Sequence, residues 1–281
     1  MTDTDTQRSV SAPTTDEARR DVIRASVVTV SEIACVAGTL LGVGVFGGEP
    51  VQQAAGGALS ADATLIAPAG SAFSIWSVIY LGLAIYTVWQ WLPANLHAEL
   101  HRRIGWLVAA SMLLNAGWLL VVQAGWLWPS VVVILALTVV LGLIIKARAG
   151  TRAGGTADAV IVDGTFGLYV GWVSVATCAN ITAALVDAGV EPGPAMAQVI
   201  AALVLVVALG IGVVLARVSS GNPGIGLAMA WGIAWIAVGR LSGEPASTST
   251  GVVAAVVAVG ILAVFGIEFF RRFARGRVGN G

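Results

Sequence analysis

Eight apolar segments, each close to the length a helix needs to cross a membrane, dominate this chain. They are Ala25–Phe46, Ser71–Leu92, Ile104–Gln123, Leu127–Ile145, Thr165–Val186, Ala195–Ala216, Gly224–Leu241 and Gly251–Phe270. A spanning helix needs about 20 such residues. An average soluble domain is about one quarter charged; this one is 57% hydrophobic and 11% charged over 281 residues. The expected fold is therefore all-α, a polytopic membrane bundle of about eight transmembrane helices. The formal net charge is zero, which gives nucleic acid nothing to bind.

The few charges sit between the apolar segments and orient them. Arg19, Arg20 and Arg24 precede the first span, Arg102 and Arg103 follow the second, and Lys146, Arg148 and Arg152 follow the fourth. Arg217 follows the sixth span, and Arg271, Arg272, Arg275 and Arg277 follow the eighth. Basic residues gather on the cytoplasmic side of a membrane. Eight spans put all of these on one side, with both termini cytoplasmic in a cell membrane. Arg240, at the outer end of the seventh span, is the one exception. Residues 1–24 are polar and read as a disordered cytoplasmic tail, and 271–281 as a basic cytoplasmic tail. The apolar run from Ala25 is too long for a secretory signal and reads as a retained first span. The segment 47–70, rich in Gly and Ala, is long enough to cover a pocket mouth.

Three of the apolar segments carry aromatic and amide side chains on one helical face: Phe73, Trp76 and Tyr80; Asn115 and Trp118; Tyr169, Trp172 and Asn180. Positions 169, 172, 176 and 180 are spaced three, four and four, one stripe of a helix. With alternating span direction, Trp76, Tyr80, Asn115, Trp118 and Asn180 fall in the outer halves of their helices. A buried amide in a lipid-bathed helix needs a partner or a cavity. Two readings follow: a ligand-lining face, or a hydrogen-bond knot that glues helices.

Tyr169-x-x-Trp172 followed by Asn180 resembles the last helix of the tryptophan-rich sensory protein/translocator protein (TspO) family. Asn115-x-x-Trp118 resembles that family's Asn-x-x-Trp on the third helix, and Trp76-x-x-x-Tyr80 its second-helix motif. The likeness covers about residues 25–187, leaving 195–270 as three additional membrane helices. It departs in the loop after the first helix: the family's Trp-Tyr and Lys-Pro…Pro-Pro elements are replaced by Ala61–Gly70 with the single proline Pro68. The resemblance implies a five-helix bundle over 25–187 that binds a hydrophobic small molecule, tetrapyrrole-like (porphyrin or haem) or in some members a sterol, for sensing, sequestration or transport. Trp76, Tyr80, Asn115, Trp118, Tyr169, Trp172 and Asn180 are the ligand-site candidates. Rings would supply stacking area and amides fix a polar edge.

Other signals are weaker. Glu32 lies inside the first span; an intramembrane carboxylate is a functional candidate by default, either for proton coupling in a secondary transporter of a small solute or as a partner for a neighbouring Ser, Thr or Asn. His97 and His101 are four apart and read as an exposed interfacial pair. Cys35 and Cys178 read as buried small hydrophobes. Gly42-Val-Gly44-Val-Phe-Gly47 imitates a dinucleotide fingerprint without the strand that such a site needs. No Ser/His/Asp or Cys/His set can be assembled, so an enzyme is not expected, and neither a required cofactor nor a metal site. Small-residue pairs such as Gly38 with Gly42 and Gly167 with Gly171 allow close helix approach, within the chain or in a homo-oligomer.

Overall fold

The computed structural model describes residues 14–42, 49–149, 151 and 155–278. Eight long helices hold most of them: α1 Thr15–Gly42, α2 Ile75–Trp89, α3 Glu99–Gln123, α4 Leu127–Ala149, α5 Thr165–Asp187, α6 Pro194–Val218, α7 Pro223–Ser242 and α8 Thr248–Val278. There is no strand among the described residues. With the 3-10 turn Gly70–Ser74 counted into the second, all eight are long and apolar enough to cross a membrane. The polytopic all-α bundle is thus the architecture, and its lipid-facing surface implies contact with a bilayer.

The ends of these helices follow local chemistry. At α1 the Thr14 amide donates to Glu17 Oε2 (2.9 Å) and the Glu17 amide to Thr14 Oγ1 (3.3 Å), a capping box. Helix α1 therefore starts at Thr15 and not at Ala25, and residues 15–24 are helix where a disordered tail was expected. Residues 1–13 lie outside the described part, as does most of the Gly42–Gly47 pattern. Likewise α8 runs on to Val278, through most of the expected basic tail. The α3–α4 hairpin closes through Gly125 (φ 76°), with Trp126 N–H donating to the Val121 carbonyl and Gly125 N–H to Val122, the Schellman arrangement.

Helices α1 to α5 form a closed ring. Helix α1 packs along α3, α3 on α4 and α4 on α5, while α2 touches both α1 and α5. The last three helices are joined to this ring chiefly by α7, which packs along α5, with α8 on α7 and α6 on α8. Glycine permits close helix approach at two contacts, the second of which has no room for any side chain. A Cβ on Gly38 would lie 3.2 Å from that of Ala116, and one on Gly171 would lie 2.5 Å from the Ile225 carbonyl oxygen. Asn222 starts α7, accepting from the Gly224 amide while donating to the Asp163 carbonyl (both 2.9 Å).

At the end of the bundle where α1 begins, Asp21 ties the chain together. Its carboxylate accepts from Arg24 (2.7 Å), Arg102 (2.7 Å) and His97 (2.8 Å), and Arg24 also donates to the Leu96 carbonyl (2.6 Å). The expected exposed His97/His101 pair is not found. His97 serves this network, while His101 is buried with Nδ1 3.3 Å from the Tyr86 hydroxyl. The opposite, far end holds the segment 49–74 and the α7–α8 connection.

Candidate functional site

The far half of the five-helix ring encloses a cavity of about 50 Å³. Its helical wall includes Trp76 from α2, Asn115 and Trp118 from α3, Ile134 and Leu137 from α4, and Trp172 and Asn180 from α5. Its roof is the segment after α1, which contributes Val51, Leu59, Thr64 and Pro68. Five of the seven ligand-site candidates meet here. Tyr80 lines an adjoining cleft of about 340 Å³ that shares Val51, Phe73, Trp76 and Trp118 with the cavity. Tyr169 stands behind the wall, its hydroxyl donating to the Ser111 carbonyl (3.2 Å).

Trp76 is the hub of the aromatic cluster. Its ring stacks on Tyr80 (centroids 5.1 Å, planes 17° apart) and meets Tyr169 and Trp172 edge-on at 5.8 and 6.3 Å. Phe73 meets Trp172 edge-on at 5.6 Å. It reaches that position from the 3-10 turn Gly70–Ser74, which leads into α2. Edge-to-face contacts of this kind fix ring planes as well as burying area.

The two amides differ in how fully they are hydrogen-bonded. Asn180 is fully engaged: its Oδ1 accepts from Trp118 Nε1 (2.8 Å) and its Nδ2 donates to Ser130 Oγ (2.9 Å), which donates to the Leu127 carbonyl (2.7 Å). It pins α3, α4 and α5 together. Asn180→Leu is expected to destabilise the protein by about 1–3 kcal/mol, because it strands the buried Trp118 donor. A denaturant titration in detergent that leaves the variant as stable as the parent would overturn this assignment.

Asn115 is different. It lines the cavity; its Nδ2 donates to the Tyr80 hydroxyl (2.9 Å) and lies 3.4 Å from Cys35 Sγ, but its buried Oδ1 has no hydrogen-bond partner among the described residues. A buried carbonyl oxygen left unpaired costs about 1–3 kcal/mol, so this acceptor favours any ligand that brings a donor. Glu32 lies outside the cavity wall, on the inward-facing stripe of α1 with Val28 and Cys35. It is 6% exposed, and neither carboxylate oxygen has a partner. The Ser, Thr or Asn partner that a purely structural role calls for is absent among the described residues.

Some of the site did not announce itself in sequence. The roof is fastened at both ends: the Glu49 amide donates to Gln123 Oε1 (3.2 Å), and Gln52 Nε2 donates to the Gly70 carbonyl (3.3 Å). Within it Ser60 donates to Asp62 (2.5 Å), which holds that carboxyl below its usual range. Helix α7 supplies the rest. Ala69 N–H donates to the Trp235 carbonyl (3.1 Å), Trp231 Nε1 donates to the Ala72 carbonyl (3.0 Å), and Arg240 binds the Ala61 and Thr64 carbonyls. The only sequence signal for this was Arg240's place on the wrong side of the charge pattern.

No curated protein and no solved structure matches the chain. A family model described as TSPO-like protein matches residues 29–267, from within α1 into α8. The match thus runs through the roof segment and through α6 and α7, which carry none of the aromatic–amide motifs. With an eight-helix membrane bundle, aromatic and amide faces converging on one cavity, and this match over most of its length, the chain belongs to the TSPO-like protein family.

Proposed function

We propose that the protein binds a flat hydrophobic small molecule, tetrapyrrole-like, in the cavity beneath segment 49–70, for sensing, sequestration or transport. The observation that carries this reading is that Asn115, whose buried Oδ1 has no hydrogen-bond partner among the described residues, lines a cavity built mostly of Trp, Phe and aliphatic side chains. Rings offer faces for stacking, and the Asn115 acceptor offers a polar anchor for a hydroxyl, amide or protonated carboxyl of the ligand.

Drug-sized ligands occupy roughly 300–1,000 Å³, far more than the enclosed 50 Å³. Ligand entry therefore requires the wall to move. The 340 Å³ cleft lies behind Phe73, Trp76 and Trp118, so rotation of these rings joins the two spaces. The test is titration of the detergent-solubilised protein with protoporphyrin IX and haem, following tryptophan fluorescence. Saturable quenching at micromolar concentration or below supports the reading, and its absence in folded protein overturns it. Asn115→Leu is expected to weaken protoporphyrin binding about tenfold, the value of one buried hydrogen bond. Its stability should change little, because the lost Tyr80 contact is offset by removal of the orphan acceptor. Unchanged affinity in this variant would exclude Asn115 as the anchor.

The buried, unpartnered Glu32 supports a second reading, proton-coupled transport of a small solute. Solute uptake into proteoliposomes that follows an imposed proton gradient and is lost in Glu32→Gln would favour it. In both readings the protein is a binder or carrier and not an enzyme. The basic connections support an orientation with both termini cytoplasmic.

A further inference from the structure

Arg240 is 1% exposed and its hydrogen bonds run to four backbone carbonyls. Nη1 donates to Thr64 and Pro245 (both 3.1 Å), and Nη2 to Ala61 (2.6 Å) and Glu244 (3.1 Å). The bonds to 244 and 245 close the α7–α8 turn, a local role that many helix-end arginines have. The other two reach across the fold to the roof of the cavity. Thr64 lines that cavity on one side and a second space of about 410 Å³, between α5, α6 and the α7–α8 connection, on the other. At Thr64 the roof is therefore a thin partition, and the Arg240 fork grips it there and at Ala61 just before it. A planar, permanently charged fork suits this task in a way no neutral side chain does.

We propose that Arg240 is a positioning residue for the ligand site: it latches residues 61–72 over the cavity and so sets how fast ligand leaves. This rests on the binding reading above and adds to it that α7, outside the five-helix ring, is a working part of the site. The latch also explains why an arginine stands where the charge pattern opposes one. Its side chain is spent on carbonyls inside the protein and takes no part in orienting the chain.

The experiment is amide hydrogen exchange of the full-length protein in detergent, comparing the parent with Arg240→Gln and Arg240→Lys. Exchange across residues 61–72 is expected to rise about tenfold in Arg240→Gln, equivalent to ~1.4 kcal/mol of local opening, while α3 and α4 stay as protected as before. Arg240→Lys keeps the charge but loses the fork, and should fall between. A purely structural arginine would lower stability everywhere without singling out this segment. Unchanged exchange at 61–72 in either folded variant, or an equal rise throughout, overturns the latch. If Arg240→Gln does not fold, Arg240→Lys decides alone. In stopped-flow with protoporphyrin IX, dissociation should be faster by a similar factor, and an unchanged rate overturns the proposal. Failure of the parent to bind protoporphyrin sinks the binding reading and leaves the exchange measurement to judge the latch.

Discussion

Trp76→Ala should weaken protoporphyrin binding by about thirtyfold or more, the loss of ~2 kcal/mol expected when an aromatic anchor at the centre of a site is truncated. The reason lies in what Trp76 touches. It stacks on Tyr80, meets Tyr169 and Trp172 edge-on, and forms the wall shared by the cavity and the larger cleft. Alanine removes the stacking face and frees three rings from the partner that fixes their planes. The merged space is larger but lacks the surface a flat ligand needs. Stability should also fall, by about 2–4 kcal/mol, because Trp76 is only half-buried and truncating a fully buried Trp costs about 3–5. Trp76→Phe retains a ring and should stay within about fivefold of the parent in affinity. The midpoint of the quenching titration, and not its amplitude, is the quantity to compare, since one fluorophore is lost. A folded Trp76→Ala protein with the parent's dissociation constant would remove Trp76 from the site.

The legible part of this protein is what depends on residue type along one helix. Span number followed from the length of the apolar runs, and the shared face of Tyr169, Trp172 and Asn180 followed from helical spacing. Asn115 and Asn180 show where that reading stops. Both are intramembrane amides close to a tryptophan on the same helix, and nothing local tells them apart. The difference is made by the Trp118 indole N–H, which α3 brings to the Asn180 Oδ1 and which has no counterpart beside the Asn115 Oδ1 among the described residues. Pairing across helices decides which amide is spent on structure and which is left to offer. Arg240 is the same lesson at longer range, since its roof partners lie 176 and 179 residues away in sequence. The Thr14–Glu17 capping box, by contrast, was visible as a Thr-x-x-Glu pattern and was hidden by the polar composition around it. His97 and His101 share a spacing but not an environment, because the chain enters α3 between them and sends one to Asp21 and the other inward.

Gly171→Val should be among the most damaging single changes in the protein, at about 3 kcal/mol or more, the upper end for overpacking a tight contact. A Cβ at this position would lie 2.5 Å from the Ile225 carbonyl oxygen and 2.9 Å from Ala228 Cβ. The nearer atom is backbone, so no rotamer change relieves the clash, and α5 and α7 must separate. Interfaces between membrane helices gain their stability from such close packing, because lipid supplies no hydrophobic drive for association. The consequence should reach beyond stability. Helix α7 carries Trp231, the Trp235 carbonyl and Arg240 to the roof, so displacing it loosens residues 61–72 although Gly171 touches none of them. Gly142 on α4 faces open space, with nothing within 4 Å of where an alanine methyl would sit. Gly142→Ala should therefore be neutral or stabilising by up to about 1 kcal/mol through helix propensity. Unfolding and hydrogen exchange measured on both variants separate the cases. Loss of stability with faster exchange at 61–72 in Gly171→Val, and neither in Gly142→Ala, is the expected result. A Gly171→Val protein as stable as its parent would mean that α5 and α7 do not approach this closely, and the route by which α7 holds the roof would have to be abandoned.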